Sequence, residues 1–269
     1  MTKRLMALLI VLAYIVFTGI FASKGRCAGT AGTPAGTEFH FDGRVHIECS
    51  TLDRLGITDA FTLEAWLKPL GEHDYNVIVS ALGKEDGFAL FLYRSTRVKF
   101  GINNCDNKNA IWSSAGIVEK QYNHIVAVYD KGAATIYING VSRGRKTFTD
   151  TAIIKNKNRL VIGKGPGSSL LKGDMAALRI YDRAIDSNEV AWNFDNRRNG
   201  KRAINNRDGL VLDLDFGGMT KEGLYKDTSG KGNDGRVMHS SAKVPAAPTI
   251  SPQRAEDSNS TKMSLPVVP

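Results

Sequence analysis

The side chains in this sequence that could bind a metal ion are carboxylates and amides on glycine-rich turns. Asp227, Asn233 and Asp234 belong to the run Asp-Thr-Ser-Gly-Lys-Gly-Asn-Asp-Gly, and Asp42 stands directly before a glycine. Calcium prefers carboxylate and carbonyl oxygens, so these four residues are candidate ligands for calcium, the one cofactor that the sequence suggests. Asp and Asn also stabilise turns without a metal, so the second interpretation stays open.

A second candidate site surrounds a tryptophan. Trp112 follows a polar stretch that contains Asn103, Asn104 and Asp106. Sugar recognition needs an exposed aromatic ring, on which the apolar side of a sugar packs, with polar groups beside it. These four residues are therefore candidate ligand-binding residues. A tryptophan that only anchors its own loop would give the same sequence pattern.

Residues suited to catalysis are scarce. Asp213 and Asp215 alternate with apolar residues and share one side of a predicted strand, a pattern typical of its solvent-facing side. His124 stands within an apolar run, where a histidine is more often a hydrogen-bonded structural residue than a base. The five histidines form no His-Glu-x-x-His motif. We therefore identify no catalytic residue.

The N-terminus has the order of a targeting segment. Lys3 and Arg4 precede an apolar run over residues 5–21, and small and polar residues follow. We interpret residues 1–28 as a signal peptide or, if uncleaved, a membrane anchor, and residues 29–37 as a spacer. The sequence thus predicts an extracytoplasmic protein, either secreted or held at the membrane by this segment.

Export affects the charge and the cysteines. The chain has 36 basic and 27 acidic residues, a net charge of +9, and residues 1–28 hold four bases and no acid, which leaves +5 after their removal. The excess fits an anionic polysaccharide or an acidic cell surface as partner, or only a solvated surface, and export argues against nucleic acid. In an oxidising compartment Cys49 and Cys105 could form a disulfide or stay free.

Short strands would position these residues. Strand-like runs recur about every ten residues between clusters of Gly, Asn and Asp, as in an all-β sandwich. Asn139-Gly140 between two such runs predicts a type I′ hairpin, in which both central residues have positive φ. Asp186 and Glu189 form a capping box, which predicts one short helix.

One predicted strand carries a large aromatic residue on its polar side. Phe61, Leu63, Ala65 and Leu67 share one side, and Trp66 lies on the other with Thr62, Glu64 and Lys68. A tryptophan there indicates that the second side of this sheet is also covered.

The C-terminal third departs from the pattern of the rest. Residues 198–244 begin with a basic, Asn-rich connector and continue with an alternating strand over 210–216. We predict that 198–244 folds back as an added strand of the same sandwich. The two termini of such a sandwich lie close together, so a strand at either end of the chain can occupy the same place with only a different loop. A truncated second repeat is the alternative. Residues 245–269 are rich in Pro, Ser and Ala and are predicted to be a disordered tail.

Four segments in this order resemble the laminin G-like family of the concanavalin A-like lectin and glucanase superfamily. The match covers about two thirds of the chain and places the domain at residues 38–197. It implies a two-sheet antiparallel jelly-roll sandwich. The segments are Glu38-Phe-His-Phe-Asp-Gly43, Phe61-Thr-Leu-Glu-Ala-Trp66, Tyr122 to Asp130 with Tyr137-Ile-Asn-Gly140, and Gly173 to Ile185.

The sequence departs from the family pattern at three points. Tyr122 stands where the family usually has Trp, and Ala176 and Ala177 replace an acidic pair, which argues against a cation on that strand. The Gly-Leu-Val strand and the loop at 227–235 usually come first in the family and here come last.

The resemblance implies a binding function. Glucanases of the superfamily use an E-x-D-x-x-E strand, in which two carboxylates perform retaining hydrolysis. The nearest match here, Glu72-His73-Asp74, ends on Val77, so we predict that the chain is not an enzyme. The sequence predicts an exported, non-catalytic carbohydrate-binding or adhesion module, whose partner is a glycan or a cell-surface protein. The alternatives are a structural or protein-interaction domain and a glycoside hydrolase.

Overall fold

The computed structural model describes residues 38–71, 75–83, 86–94, 96–103, 105–114, 116–148, 157–165 and 170–240. The predicted targeting segment, spacer and C-terminal tail lie outside these residues, as does Glu72-His73-Asp74. No helix within the described ranges is long and apolar enough to cross a membrane.

The described residues form fifteen strands and one helix. They are β1 Phe39–Asp42, β2 Val45–Thr51, β3 Ala60–Pro69, β4 Asn76–Ser80, β5 Phe88–Tyr93, β6 Arg97–Ile102, β7 Ala110–Trp112, β8 Asn123–Asp130, β9 Ala133–Ile138, β10 Val141–Thr147, β11 Arg159–Ile162, β12 Lys172–Tyr181, α1 Ser187–Arg198, β13 Leu210–Met219, β14 Leu224–Asp227 and β15 Gly235–His239.

The strands form an antiparallel sandwich of the jelly-roll type, as the sequence predicts. One sheet, the helix-side sheet, has the order β10-β9-β8-β3-β12-β13, with β1 also paired to β12. The other, the open-side sheet, has the order β15-β2-β11-β4-β5-β6-β7. Strand β14 pairs with both β13 and β15, so the hydrogen-bonded path continues around this edge from one sheet to the other.

A single large apolar core lies between the sheets. Alternate residues of both sheets point into it, as expected where each strand buries one side. On β3 the core-facing residues are Phe61, Leu63, Ala65 and Leu67, the set predicted from the sequence. Phe61 packs against Phe88 and Phe100 of the open-side sheet, with ring centres 4.9 and 5.9 Å away. These contacts fix how the two sheets stack.

The predicted hairpin and helix are both confirmed. Asn139 and Gly140 have φ of 53° and 76°, as a type I′ turn requires. Asp186 caps α1 by accepting from the Asn188 and Glu189 amides, while the Glu189 side chain accepts from the Asp186 amide. Helix α1 follows β12 in the chain. It lies over the outside of the helix-side sheet, where its Phe194 packs against Trp66.

The last three strands are integral to both sheets. β13 pairs with β12 over five residue pairs, from Ala177–Asp215 to Tyr181–Leu210. β15 pairs with β2 over four, from Arg236–Glu48 to His239–Val45. That this segment is needed for the domain to fold stays a prediction, which truncation would test.

Candidate functional site

Helix α1 lies over the outer side of the helix-side sheet, which we call the covered face. Trp66 is fully buried there and packs against His124 of β8 and Phe194 of α1, with ring centres 4.8 and 5.9 Å away. The prediction that this second side is covered is therefore confirmed. Ala176 and Ala177 lie in the same cluster, where their small side chains leave room for Phe194.

A network of buried charges lies beside this aromatic stack. Glu64 accepts from Arg179 at 3.4 Å and lies 2.9 Å from Nε2 of His124, and Asn193 of the helix donates to its other oxygen. Burial alone would raise the pKa of Glu64, but the Arg179 charge and the His124 hydrogen bond lower it to about 2. Glu64 is thus ionised and fully engaged, and His124 has the structural role predicted for it.

Asp213 and Asp215 belong to the same network, so the predicted solvent-facing position is wrong for Asp213, which is buried, while Asp215 is only partly covered. Asp213 is buried and accepts from Nε of Arg179 at 3.1 Å. Asp215 accepts from the buried Arg197 of the helix at 3.3 Å. The helix and the basic connector after it cover this strand, which its alternating pattern cannot reveal.

The outer side of the open-side sheet has no helix over it among the described residues; we call it the open face. A row of rings crosses β5 to β7: Tyr75 lies 5.1 Å from Tyr93, and Tyr93 lies 5.4 Å from Trp112, between ring centres. The Arg97 guanidinium and the Lys99 ammonium lie 5.3 and 5.4 Å from the Trp112 ring centre. We call Tyr75, Phe91, Tyr93, Arg97, Lys99 and Trp112 the aromatic row.

Strand register explains why these residues meet. Phe91 pairs directly with Lys99, and Lys99 pairs with Trp112, so the three side chains lie side by side on one surface. Tyr93 pairs with Arg97 in the same way. The row therefore combines apolar ring surface with cationic hydrogen-bond donors.

At the other end of the open face lies a cavity of about 640 Å³. Strands β2, β11 and β15 and the turns beside them line this cavity, which opens to solvent. Its lining includes Glu48, Arg54, Arg159, Leu224, Asp234, Arg236 and Met238. We call it the basic cavity. A second cavity of about 280 Å³ shares Glu48 and Arg159 and adds Lys164 and His46.

The predicted sugar ligands are only partly brought together. Trp112 is half-buried in β7, where Tyr93, Arg97 and Lys99 are its neighbours rather than the predicted amides. Asn103 is 3% exposed, which leaves a ligand no access to it. Asp106 is exposed but accepts from the Lys108 and Asn109 amides, so it braces its own turn. Asn104 lies outside the described residues.

Three of the four predicted calcium ligands lie in one braced loop. Asp227 accepts from the amides of Asp213, Ser229 and Asn233 and from the Ser229 hydroxyl, at 2.7 to 2.9 Å. Asp234 accepts from the Asp227 amide and from Lys226.

The fourth predicted ligand, Asp42, accepts from the Arg44 amide in the turn between β1 and β2. The described residues contain no group of three or more side chains arranged to hold a metal. Calcium binding stays a prediction.

The predicted disulfide is not formed, because Cys49 and Cys105 are both free and buried. Cys49 lies on β2 and points into the core, whereas Cys105 packs against Gly101 on the opposite side of the open-side sheet. Four strand spacings, about 19 Å, separate β2 from β6. A disulfide requires Cα atoms within about 7 Å. Burial raises the pKa of both thiols, that of Cys105 to about 11.

The sequence contains a signal for the aromatic row. Phe91 and Tyr93 alternate with the core residues Leu90 and Leu92, just as Trp66 alternates with its core neighbours. Aromatic residues on the outer side of a strand pointed to a covered face at Trp66. On β5 they lie half-buried on a surface that the helix does not reach.

Comparison with known proteins agrees with this architecture. A family model described as concanavalin A-like lectin/glucanases superfamily matches residues 41–191. A protein from Bacteroides ovatus described as a candidate carbohydrate-binding protein is 18% identical with a TM-score of 0.60, over 78% of this chain and 61% of that one. This chain therefore spans less than two thirds of that protein.

A heptameric SAP-like pentraxin from Limulus polyphemus is also 18% identical, with a TM-score of 0.52 over 77% of this chain and 96% of that one. No curated protein matches the sequence. The two structural matches show a shared fold. The family model covers more than half of the residues, and the chain therefore belongs to the concanavalin A-like lectin/glucanase superfamily.

Proposed function

We propose that this chain is a carbohydrate-binding module that holds a glycan on its open face. The fold it shares with the candidate carbohydrate-binding protein from Bacteroides ovatus supports this proposal without deciding it, because one fold serves many functions. The observation that carries the proposal is the aromatic row. Sugars pack their apolar C–H surface on aromatic rings and offer hydroxyl groups to donors beside them.

The row has both of these features on neighbouring strands. Tyr75 is 41% exposed and Trp112 is half-exposed, so ring surface reaches solvent at both ends of the row. Arg97 and Lys99 lie between the rings as donors. The sheet holds Trp112 through its pairing with Lys99, so little conformational entropy is lost on binding.

A glycan array probed with the full chain tests this proposal. We expect binding to a subset of glycans, and Trp112→Ala should weaken it about tenfold because a packed ring contributes about 1.5 kcal/mol. Trp192→Ala is the matched control, since Trp192 is 37% exposed on α1, which covers the other face. An empty array with a sample that melts cooperatively would favour the structural or protein-interaction alternative.

We further propose that the module acts outside the cytoplasm and without catalysis. The first statement is supported by the order of charged and apolar residues in 1–28. The second is supported by Glu64, Asp213 and Asp215, whose carboxylates are held by buried arginines rather than paired across a cleft. Fractionation of expressing cells tests the first statement. Release of reducing ends from a bound glycan would contradict the second.

A further inference from the structure

We propose that the basic cavity binds an anionic substituent, a carboxylate or a sulfate, of the saccharide held on the open face. The inference rests on the proposed function and adds the ligand class. Arg54, Arg159 and Arg236 reach the cavity from three separate segments of the chain. Arginine presents a planar fork of donors that matches the oxygens of a carboxylate or sulfate, so convergent arginines select such groups.

The charges around the cavity do not cancel. Its two acids already have basic partners: Glu48 lies 3.7 Å from Nε of Arg159 and 3.5 Å from Nε2 of His46, and Asp234 lies 2.6 Å from Nζ of Lys226. The guanidinium groups of Arg54 and Arg236 make no ion pair with any described residue, although Arg236 stands directly across from Glu48 in the strand register. Within the described part of the chain, the guanidinium groups of Arg54 and Arg236 are therefore left without an acidic partner at the cavity.

The size and the walls of the cavity suit a sugar. A volume of about 640 Å³ lies within the range of small-ligand sites. Leu224 and Met238 give an apolar wall, and Gly232 brings backbone close to the space. A ring could pack on that wall while its charged group meets the arginines.

The cavity and the aromatic row lie on the same side of one sheet. Residues 48, 161, 80 and 89 are consecutive cross-strand partners from β2 through β11 and β4 to β5, and their side chains share the open face. Three strand spacings, about 14 Å, separate β2 from β5. A glycan chain could thus place an acidic residue in the cavity and a further residue on the rings.

Calorimetric titration of the full chain with one oligosaccharide in three forms tests the inference. The forms are a free uronate, its neutral methyl ester, and a sulfate ester of the neutral form. We expect a charged form to bind about tenfold or more tightly than the neutral one, because hydrogen bonds to charged groups are the stronger ones. The tighter of the two charged forms identifies carboxylate or sulfate. This preference should shrink as salt is raised.

Arg54→Gln and Arg236→Gln locate the effect. Both side chains are exposed, and each substitution should lower affinity for the charged form about tenfold while leaving the neutral form unchanged. Arg198→Gln on α1 removes the same charge from the other face and should change neither. Trp112→Ala should weaken all three forms alike.

The outcomes separate the two proposals. Equal binding of all three forms by the unsubstituted protein, at low and high salt, would overturn the anionic assignment and keep the proposed function. Arginine variants that weaken the neutral form as much as the charged ones would overturn the cavity as the charge-reading site. If none of the three forms binds and the glycan array is also empty, both the proposed function and the anionic assignment are overturned.

Discussion

The two outer faces of this sandwich use the same kinds of side chains for opposite purposes. On the covered face, tryptophan, arginine and carboxylates lie beneath a helix, and the buried charges there meet opposite ones, as in the Glu64–Arg179–Asp213 chain. On the open face, rings and arginines lie at the surface, and the guanidinium groups of Arg54 and Arg236 have no acidic partner within the described part of the chain. The difference is what lies over each sheet.

Solvent access explains why the two arrangements differ in their consequences. A buried charge is costly unless it is paired, so the covered face must satisfy its own charges and has none to offer a ligand. An exposed charge costs little to leave unpaired and is screened by salt, so the open face can keep free arginines for a ligand. The residue types alone do not reveal which of the two faces leaves its charges unpaired.

Removal of the strands that connect the two faces should have the largest effect. Deleting residues 205–269 removes β13, β14 and β15, and with them the core residues Leu212, Leu214, Phe216 and Tyr225. Each such side chain contributes about 1.5 to 3 kcal/mol by burial, which together approaches the whole stability of a domain. We expect no cooperative thermal transition. Deleting only 245–269 is the control and should leave the melting transition unchanged. If the fragment that lacks 205–269 also melts at the unchanged temperature, the fold-back interpretation is refuted.

Matched substitutions of one glutamate on each face should lower the free energy of unfolding by different amounts. Glu64→Gln removes one of the two carboxylates that hold the buried Arg179, leaving only Asp213, and should lower the free energy of unfolding by about 3 kcal/mol. Glu48→Gln, on the open face, removes a carboxylate that is itself 30% exposed, together with its pairs to Arg159 and His46, and should cost about 1 kcal/mol or less. Denaturant titration measures both. Equal losses would show that the helix does not isolate the covered face from water.

Acid should weaken the covered face through the same glutamate. The pKa of Glu64 is about 2 in the folded protein against an ordinary value of 4.5, because Arg179 and His124 outweigh the effect of burial. A lowered folded-state pKa gives stability that is present above pH 4.5 and is lost as the pH falls toward 2. The difference in free energy of unfolding between the native chain and Glu64→Gln should therefore be constant near neutral pH. It should become smaller as the pH falls from 4.5 toward 2. A difference independent of pH would contradict the lowered pKa.

Local patterns in the sequence predicted the strands, the hairpin and the capped helix, because each depends on neighbours within a few residues. Trp66 even indicated a covered face. The positions of Asp213 and Asp215 were not predictable from the alternation of β13, because the arginines that bury them come from β12 and α1. The alternation of β5 places Phe91 and Tyr93 on one outer side, but only the pairing of β7 with β6 brings Trp112 beside Lys99.

A smaller effect than at Glu64 is expected at the loop that joins the two faces. Asp227 accepts four hydrogen bonds, one of them from the backbone of Asp213 on the covered-face strand β13. Asp227→Asn replaces one acceptor oxygen by a donor that faces other donors, which should cost about 1–3 kcal/mol. If these bonds are the whole role of Asp227, millimolar calcium and a chelator should give the same melting temperature for the native chain.

A calcium-dependent rise that Asp227→Asn abolishes would instead assign a metal to this loop. The loop contains Asp234, which lines the basic cavity. A bound cation there would add positive charge beside Arg236. The melting experiment therefore also bears on the difference between the faces, because a bound cation would add unpaired positive charge to the open face alone.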